Sequence, residues 1–383
     1  MTEQEHNNVQ WKKVKLGDCL SIGNGCDYKH LKEGDIPVFG TGGIMTYVDN
    51  YLYDGETVCI GRKGTINHPM YHIGKIWTVD TLFYTHSFVD VIPKFIYYAF
   101  CNIDWNKYNE ATGVPSLSKE TIYKIEIPVP DLSAQCRIAA ILTSADKVIA
   151  ATQKTIAKYK QIKQGMMEDL LNEQCTMNNV QWKKVRLGEC CAVNPKTDTM
   201  KVLDDDVVAL VRMEDVSNDG FITSFSERTY KSLQKRGLTI FQNEDVIFAK
   251  ITPCMENGKG ALVRNMKSQI CMGSTEFHVL RAYDNVSINF IYQLTISKRF
   301  RQRAEMQMTG SAGQQRVPTA FLEDCLISIP FKNNKPDLTA QRRIAAILSG
   351  IDAKIAAEGK VLQKYEKVKK GLMERLLEGG GKK

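Results

Sequence analysis

Asn7-Asn-Val-Gln-Trp-Lys-Lys-Val-Lys-Leu-Gly-Asp-Cys19 returns later in the chain as Asn178-Asn-Val-Gln-Trp-Lys-Lys-Val-Arg-Leu-Gly-Glu-Cys190, with two conservative changes. A second pair follows, Ala134-Gln-Cys-Arg-Ile-Ala-Ala-Ile-Leu142 and Ala340-Gln-Arg-Arg-Ile-Ala-Ala-Ile-Leu348. The first pair is offset by 171 residues and the second by 206, so the stretches they enclose differ in length by 35, and little of those stretches aligns. A repeat of this size is a domain, not a solenoid unit. The 383 residues suffice for two or three domains, each with its own core. A constant frame carrying two different inserts is how a chain would read two different things at a fixed separation.

Working outward, Ile127-Pro-Val-Pro-Asp-Leu132 opens a long stretch without proline. Ile138, Leu142, Ala145, Ile149, Ile156, Tyr159, Met166 and Leu170 step by fours and threes, with Thr152 and Lys163 in the gaps. The second copy repeats the register with Ile344, Leu348, Ile351, Ile355, Leu362, Tyr365, Leu372 and Leu376, with Glu358 and Lys369 in the gaps. Nearly five heptads of this spacing are the pattern of a coiled-coil seam. Ser133 and Thr339 suit an N-cap, and each helix should run about 36 residues, roughly 55 Å. A surface helix packed on its own domain is the plainer alternative. Two such segments can pair parallel or antiparallel; a pseudo-twofold arrangement makes them antiparallel. The sequence thus reads as an α+β protein, two globular α/β domains joined by two long helices forming an antiparallel, pseudo-twofold coiled coil.

The net charge of +8 suggests nucleic acid until it is placed. Segments 134–171 and 340–383 together carry +9, leaving the rest near −1. Charge alone is therefore a weak argument for DNA, and binding inserts would need locally segregated charge. The N-terminal Met1-Thr-Glu-Gln-Glu-His-Asn7 is polar and has no signal-peptide pattern, and no apolar run is long enough for a membrane span, so a cytoplasmic protein is expected. The 11 cysteines show no C-x-x-C and fit reduced thiols, with Cys190 and Cys191 simply packed.

The inserts, residues 20–130 and 191–335, read as mixed α+β, with strand-like runs such as Thr57–Ile60 and Val207–Val211 and helix-like stretches near Pro93–Cys101 and Ile288–Arg303. Glycine-flanked polar loops recur. Their backbones can approach a ligand closely, and Arg, Lys, Asn, Gln and Glu match base edges. Arg62, Lys63 and Asn67 are the candidates in the first insert. In the second they are Lys250, Glu256, Asn257, Lys259, Ser274, Glu276, Gln314, Gln315 and Arg316. Thr112-Gly-Val-Pro-Ser116 looks like a short cognate of Thr309–Pro318.

Catalytic patterns are missing. Gly40-Thr-Gly-Gly43 is glycine-rich, but Ile44–Tyr51 after it reads as strand and turn, not the helix N-terminus a cofactor loop needs. The chain has no Pro-Pro for an aminomethyltransferase element and no P-loop. His68 and His72 are separated by Pro69 and β-like flanks, which argues against a helical metal pair. The reading is a non-enzyme that needs no cofactor or metal.

Two variable inserts, each preceded by Trp-Lys-x-Val-x-Leu-Gly-(Asp/Glu) and followed by Pro-Asp-Leu-x-Ala-Gln-x-Arg-Ile-Ala-x-Ile-Leu, resemble the specificity subunit of type I restriction–modification systems. The resemblance covers essentially the whole chain. It implies target recognition domains at 1–132 and 178–338, and conserved spacer helices at 133–177 and 339–383. It also implies double-stranded DNA as ligand, each insert reading half of a bipartite, asymmetric site, and helices that set the gap and dock two adenine-N6 methyltransferase subunits. Restriction/translocase subunits would complete the complex, and S-adenosylmethionine, ATP and Mg would sit on partners. The competing readings are a coiled-coil scaffold that binds proteins and not DNA, and a self-contained enzyme built on the glycine loop.

Overall fold

The computed structural model describes residues 10–173, 180–311 and 313–378. Asn7–Val9 and Asn178–Asn179 of the repeat, Ala312, and the tail 379–383 lie outside the described residues. The chain divides into two compact units, Met1–Lys154 with Gly359–Lys383, and Thr155–Glu358. Each contains a stretch of both long helices.

The first unit is built from β1 (Lys12–Lys15), β2 (Ser21–Asn24), β3 (Ile36–Gly40), β4 (Gly43–Val48), β5 (Tyr53–Gly61), β6 (Met70–Thr78), β7 (Leu82–His86) and β8 (Glu126–Val129), with helices α1 (Pro93–Asn102) and α2 (Lys119–Lys124). β1 pairs antiparallel with β8, Val14 opposite Ile127, so the head of the repeat is stitched to the segment that enters the long helix. The remaining strands form one sheet in the order β2-β7-β5-β6-β3-β4, antiparallel except between β3 and β6. α1 starts on Pro93, whose fixed φ suits the first helical position. Its Phe95, Tyr98 and Phe100 are fully buried with Trp105 against Val58, Ile60 and Phe83, each such side chain contributing about 1.5–3 kcal/mol.

The second unit contains β9 (Gln181–Arg186), β10 (Cys191–Val193), β11 (Val207–Val211), β12 (Ser226–Thr229), β13 (Thr239–Phe241), β14 (Val246–Ala249), β15 (Gly260–Leu262), β16 (Cys271–Gly273), β17 (Phe277–Ala282) and β18 (Leu326–Lys332). β9 pairs with β18, Val185 opposite Ile327, repeating the β1–β8 ribbon. One sheet runs β10-β17-β14-β15, a second β12-β11-β16-β13. The first has the strand order and antiparallel sense of β2-β7-β5-β6, so the inserts share a scaffold that their sequences conceal. The region Ile288–Arg303 is two helices, with a break at Ile296–Ser297. After α3 (Leu132–Leu170) come α4 (Ile288–Thr295) and α5 (Lys298–Glu305), and Ser297 Oγ restarts the helix by accepting from Phe300 N–H at 3.3 Å. α6 (Thr319–Asp324) precedes β18, and α7 (Leu338–Leu377) is the second long helix.

α3 and α7 span 39 and 40 residues. Their N-caps are Asp131 and Asp337, not Ser133 and Thr339. The carboxylates accept from Ala134 N–H at 2.9 Å and Ala340 N–H at 3.0 Å. Because Leu132 and Leu338 already occupy the first helical positions, the aspartates just before them face the orphan amides, the usual N-cap geometry. Within the first unit, Lys369 meets Asp146 at 2.5 Å, while Leu376 and Leu377 share a core with Ile138 and Leu142. Within the second, Lys163 meets Asp352 at 2.6 Å, and Lys354 lies 5.9 Å from the Tyr159 ring. In both units residue numbers fall on one helix as they rise on the other, so the segments run antiparallel. Of the seam positions, Ile138, Leu142, Ile344, Leu348 and Leu376 are buried. Ile149, Ile156, Tyr159, Met166, Leu170, Ile355, Leu362 and Leu372 are half-buried. Tyr365 departs from the seam and is 39% exposed. A helix drifts about 20° per heptad against a strict 3.5-residue repeat, and the lysine one turn on, Lys369, makes the cross-helix contact instead.

Candidate nucleic-acid interface

Each insert ends in the same local device. A central strand hands over to a loop, and the loop that precedes a short helix lies antiparallel along it. In the first unit the chain leaving β5 is gripped at two points, Leu117 N–H to Arg62 O and Gly64 N–H to Pro115 O, both 2.9 Å, with Lys63 bridging Ser116. In the second the chain leaving β14 is gripped by Val317 N–H to Lys250 O at 2.9 Å and Thr252 N–H to Gln315 O at 3.0 Å, with Ile251 bridging Arg316. Lys250 therefore stands where Arg62 does, and the Thr112–Ser116 stretch is the structural counterpart of the loop ending at Pro318.

In the first unit Arg62 and Lys63 are exposed and flank a cleft of about 400 Å³ lined also by Asn24, Phe83, Glu110 and residues 116–120. The Arg62 guanidinium lies 5.9 Å from the Phe83 ring, a cation–π arrangement. Gly64 has φ +88°, a conformation that excludes most side chains and lets the two loops turn together. Asn67 is exposed on the same loop but does not line the cleft. Glu110, absent from the sequence-derived candidates, is fastened to the cleft wall by Thr121 and Ser118, whose donation pulls its pKa down.

In the second unit three separate stretches converge, for Lys250 N–H donates to Glu276 O at 2.9 Å beside the Arg316 strand pair. Arg316 forks Glu276, Nε to Oε2 at 3.0 Å and Nη2 to Oε1 at 2.8 Å. Arg316 holds the Glu276 carboxyl below the usual range. Ser274 Oγ accepts from Glu276 N–H at 3.2 Å and shapes that turn. Glu256 accepts from Thr252 Oγ1 at 2.8 Å, and it and Asn257 are exposed on the 253–258 turn. Gln314 is exposed and Gln315 half-buried. Lys259 turns inward, donating to Met213 O at 2.7 Å, so its side chain braces the loop.

Two residues that hold this arrangement escaped the sequence reading. Arg301, 6% exposed, donates to the carbonyls of Thr295, Met255, Lys259 and Gly258. It lies in the basic run Lys298–Arg303, where sequence does not separate a buried arginine from the exposed Lys298 and Arg299. His278 is buried and bonds Val317 O through Nε2 at 2.8 Å and Asn194 through Nδ1 at 3.0 Å. Asn194 has φ +52° and also accepts from Val279 N–H, tying β10 to β17.

Gly40–Gly43 forms the turn between β3 and β4, and a strand follows it. His72 lies within β6 and its Nε2 meets Lys75 O at 3.1 Å, while His68 precedes the strand, so they do not share a helix face. Cys190 and Cys191 are buried, and burial pushes both thiols up to about 12. No helix among the described residues is long and apolar enough to cross a membrane.

Comparison with known proteins agrees with this architecture. A family model described as type I restriction modification DNA specificity domain matches residues 8–161 and 179–367. The type I restriction enzyme EcoAI specificity subunit of Escherichia coli is 36% identical over 204 residues, which cover 52% of this chain and 33% of that protein. The chain thus spans about a third of the length of that relative. The type I restriction enzyme MjaVIII specificity subunit of Methanocaldococcus jannaschii is 24% identical over 366 residues, 86% of this chain and 77% of its own. The solved type I restriction–modification S subunit from M. genitalium superposes with a TM-score of 0.61 over 97% of both chains at 14% identity, a likeness of fold.

Proposed function

The chain belongs to the type I restriction–modification DNA specificity family, and from that premise we propose that it reads a split, asymmetric double-stranded DNA target, one half-site through each insert. Residues 1–132 and 178–338 are the recognition domains in this reading, and 133–177 with 339–383 are the spacer helices that set the gap and dock two adenine-N6 methyltransferase subunits. Restriction subunits would join the same assembly. Methyl transfer and DNA cleavage belong to those partners, and this chain is assigned no catalytic step.

The observation that carries the reading is the repeated device. The same strand-to-loop handover sits on the same four-strand order in both units, yet the side chains differ, Arg62 and Lys63 in one, Lys250, Glu276 and Arg316 in the other. A common scaffold with unlike tips suits two unlike half-sites. Backbone contacts by some Lys and Arg side chains would position each insert on phosphates, and a few loop side chains, arginine among them, would meet base edges in the major groove. Asn67, Glu256, Asn257, Ser274, Gln314 and Gln315 remain candidates for direct or loop-shaping contacts. Lys259, held by Met213 O, belongs to the support of the site.

Mapping N6-methyladenine across the genome of cells with and without the gene, the methyltransferase held constant, tests the proposal. A split motif that vanishes with the gene supports it. Unchanged methylation in cells that make the protein overturns it and moves the protein-binding scaffold forward.

A further inference from the structure

We propose that Arg316 reads a guanine in the half-site of the second insert, and that Glu276 is a positioning residue that aims it without touching DNA. The inference rests on the DNA-reading function proposed above. Arg316 is fixed at both ends. Its backbone exchanges hydrogen bonds with Thr309, N–H to O at 2.8 Å and O from N–H at 3.0 Å, and it lies opposite Ile251. Its guanidinium carries five N–H donors. Three are engaged, Nε and Nη2 by the Glu276 carboxylate and Nη1 by Gln314 O at 3.1 Å. Among the described residues Nη1 and Nη2 thus each retain one hydrogen without a partner. The side chain is 43% exposed and that of Glu276 24%, so the arginine is open to a ligand while the carboxylate holds its Nε–Nη2 edge.

Two parallel donors match the O6 and N7 acceptors of guanine. Adenine offers N7 beside an amino donor, thymine a single O4, and cytosine an amino donor, so none satisfies both hydrogens. The carboxylate also has a negative role. A glutamate standing alone in a DNA-facing loop would repel phosphate, but here its charge is matched by the arginine it orients. The first insert has no such arrangement among the described residues. Among the described residues the Arg62 side chain reaches only Asp80 O, at 3.5 Å, and lies over Phe83.

The test uses the full chain assembled with its methyltransferase partner and a random-sequence duplex library, selected at fixed salt and sequenced. The wild type should enrich a split motif with an invariant guanine in one half. Arg316→Ala should lower the preference for that guanine by about 10- to 100-fold and leave the other half-site intact, which also reports that the chain is folded and assembled. Arg316→Lys keeps the charge and loses the fork, so guanine preference should fall while the salt dependence stays. Glu276→Gln should weaken the same position and no other. The inference is overturned if Arg316→Lys and Arg316→Ala enrich the wild-type motif unchanged, or if Glu276→Gln alters a different position, as a base-reading glutamate would. No split motif from the wild-type complex would instead overturn the DNA-reading function itself.

Discussion

Arg301 is a buried charge with no carboxylate partner among the described residues. Burial depresses its pKa, and four carbonyl dipoles and the Phe248 ring, 4.1 Å away, hold the cation in place of an acid. Three of those carbonyls belong to Met255–Lys259, so this buried arginine shapes a loop whose exposed tip carries Glu256 and Asn257. Hydrogen bonds to charged groups contribute about 1.5–3 kcal/mol each, and a buried orphan carbonyl costs about 1–3. Arg301→Met should therefore cost at least about 3 kcal/mol in urea unfolding, and Arg301→Lys should recover only part, lacking the fork. A loss below about 1 kcal/mol would mean that other contacts hold the loop. His278 makes the same region pH-sensitive. Burial lowers its pKa from the ordinary 6.5, so around and just below that value the unfolded chain binds more protons than the folded one. Stability is then full above 6.5 and declines as pH falls through it toward the folded value. A urea midpoint followed from pH 8 to pH 5 should fall, and His278→Gln should flatten that part of the profile. An identical slope in the variant would assign the effect to other groups.

At the scale of elements, the helices were legible and their contacts were not. Period and length gave α3 and α7 because a heptad seam is local information. The cap was misplaced by two residues, since sequence shows which side chains can cap but not where the first turn closes. Lys163 and Lys369, which read as gaps in the seam, are equivalent positions in the repeat and meet the equivalent Asp352 and Asp146. Each aspartate has a further donor from its own insert, Gln293 Nε2 at 2.9 Å to Asp352 and Tyr98 Oη at 2.7 Å to Asp146. A partner on another segment leaves no trace in one helix's periodicity. The shared strand order of the inserts was hidden for the same reason, because strand pairing is non-local and the connecting loops diverge. The second-unit pair is the more enclosed, its side chains 11% and 9% accessible against 21% and 32%. Breaking a buried pair by removing one partner costs about 3–5 kcal/mol, whereas replacing both with apolar residues is often neutral or stabilising. Asp352→Ala should accordingly be the harsher of the two aspartate changes, and Lys163→Met with Asp352→Leu should recover most of the loss in a double-mutant cycle. If the double variant is as unstable as Asp352→Ala alone, the lost Gln293 hydrogen bond to the carboxylate outweighs the ion pair.

On the scale of the whole molecule, the proposed ruler makes a numerical demand on the helices. Both are continuous through the boundary between the units, at 154/155 in α3 and 358/359 in α7. Seven residues added to both helices at those points preserve the heptad phase. They lengthen each by about 10 Å, the rise of about three base pairs. The inserts should be untouched, because each folds around its own core, the first on Phe95, Tyr98 and Trp105, the second on Phe248, Phe290 and Phe300. Methylation mapping of the lengthened chain should then return the same bases in each half-site with a gap about three base pairs longer. Lengthening one helix alone leaves two unequal arms between the same two cores and should abolish methylation. A matched insertion that leaves the gap unchanged would deny the helices their role as ruler. One that changes the bases of a half-site would show that recognition does not reside in the inserts separately, and the modular reading would fall with it.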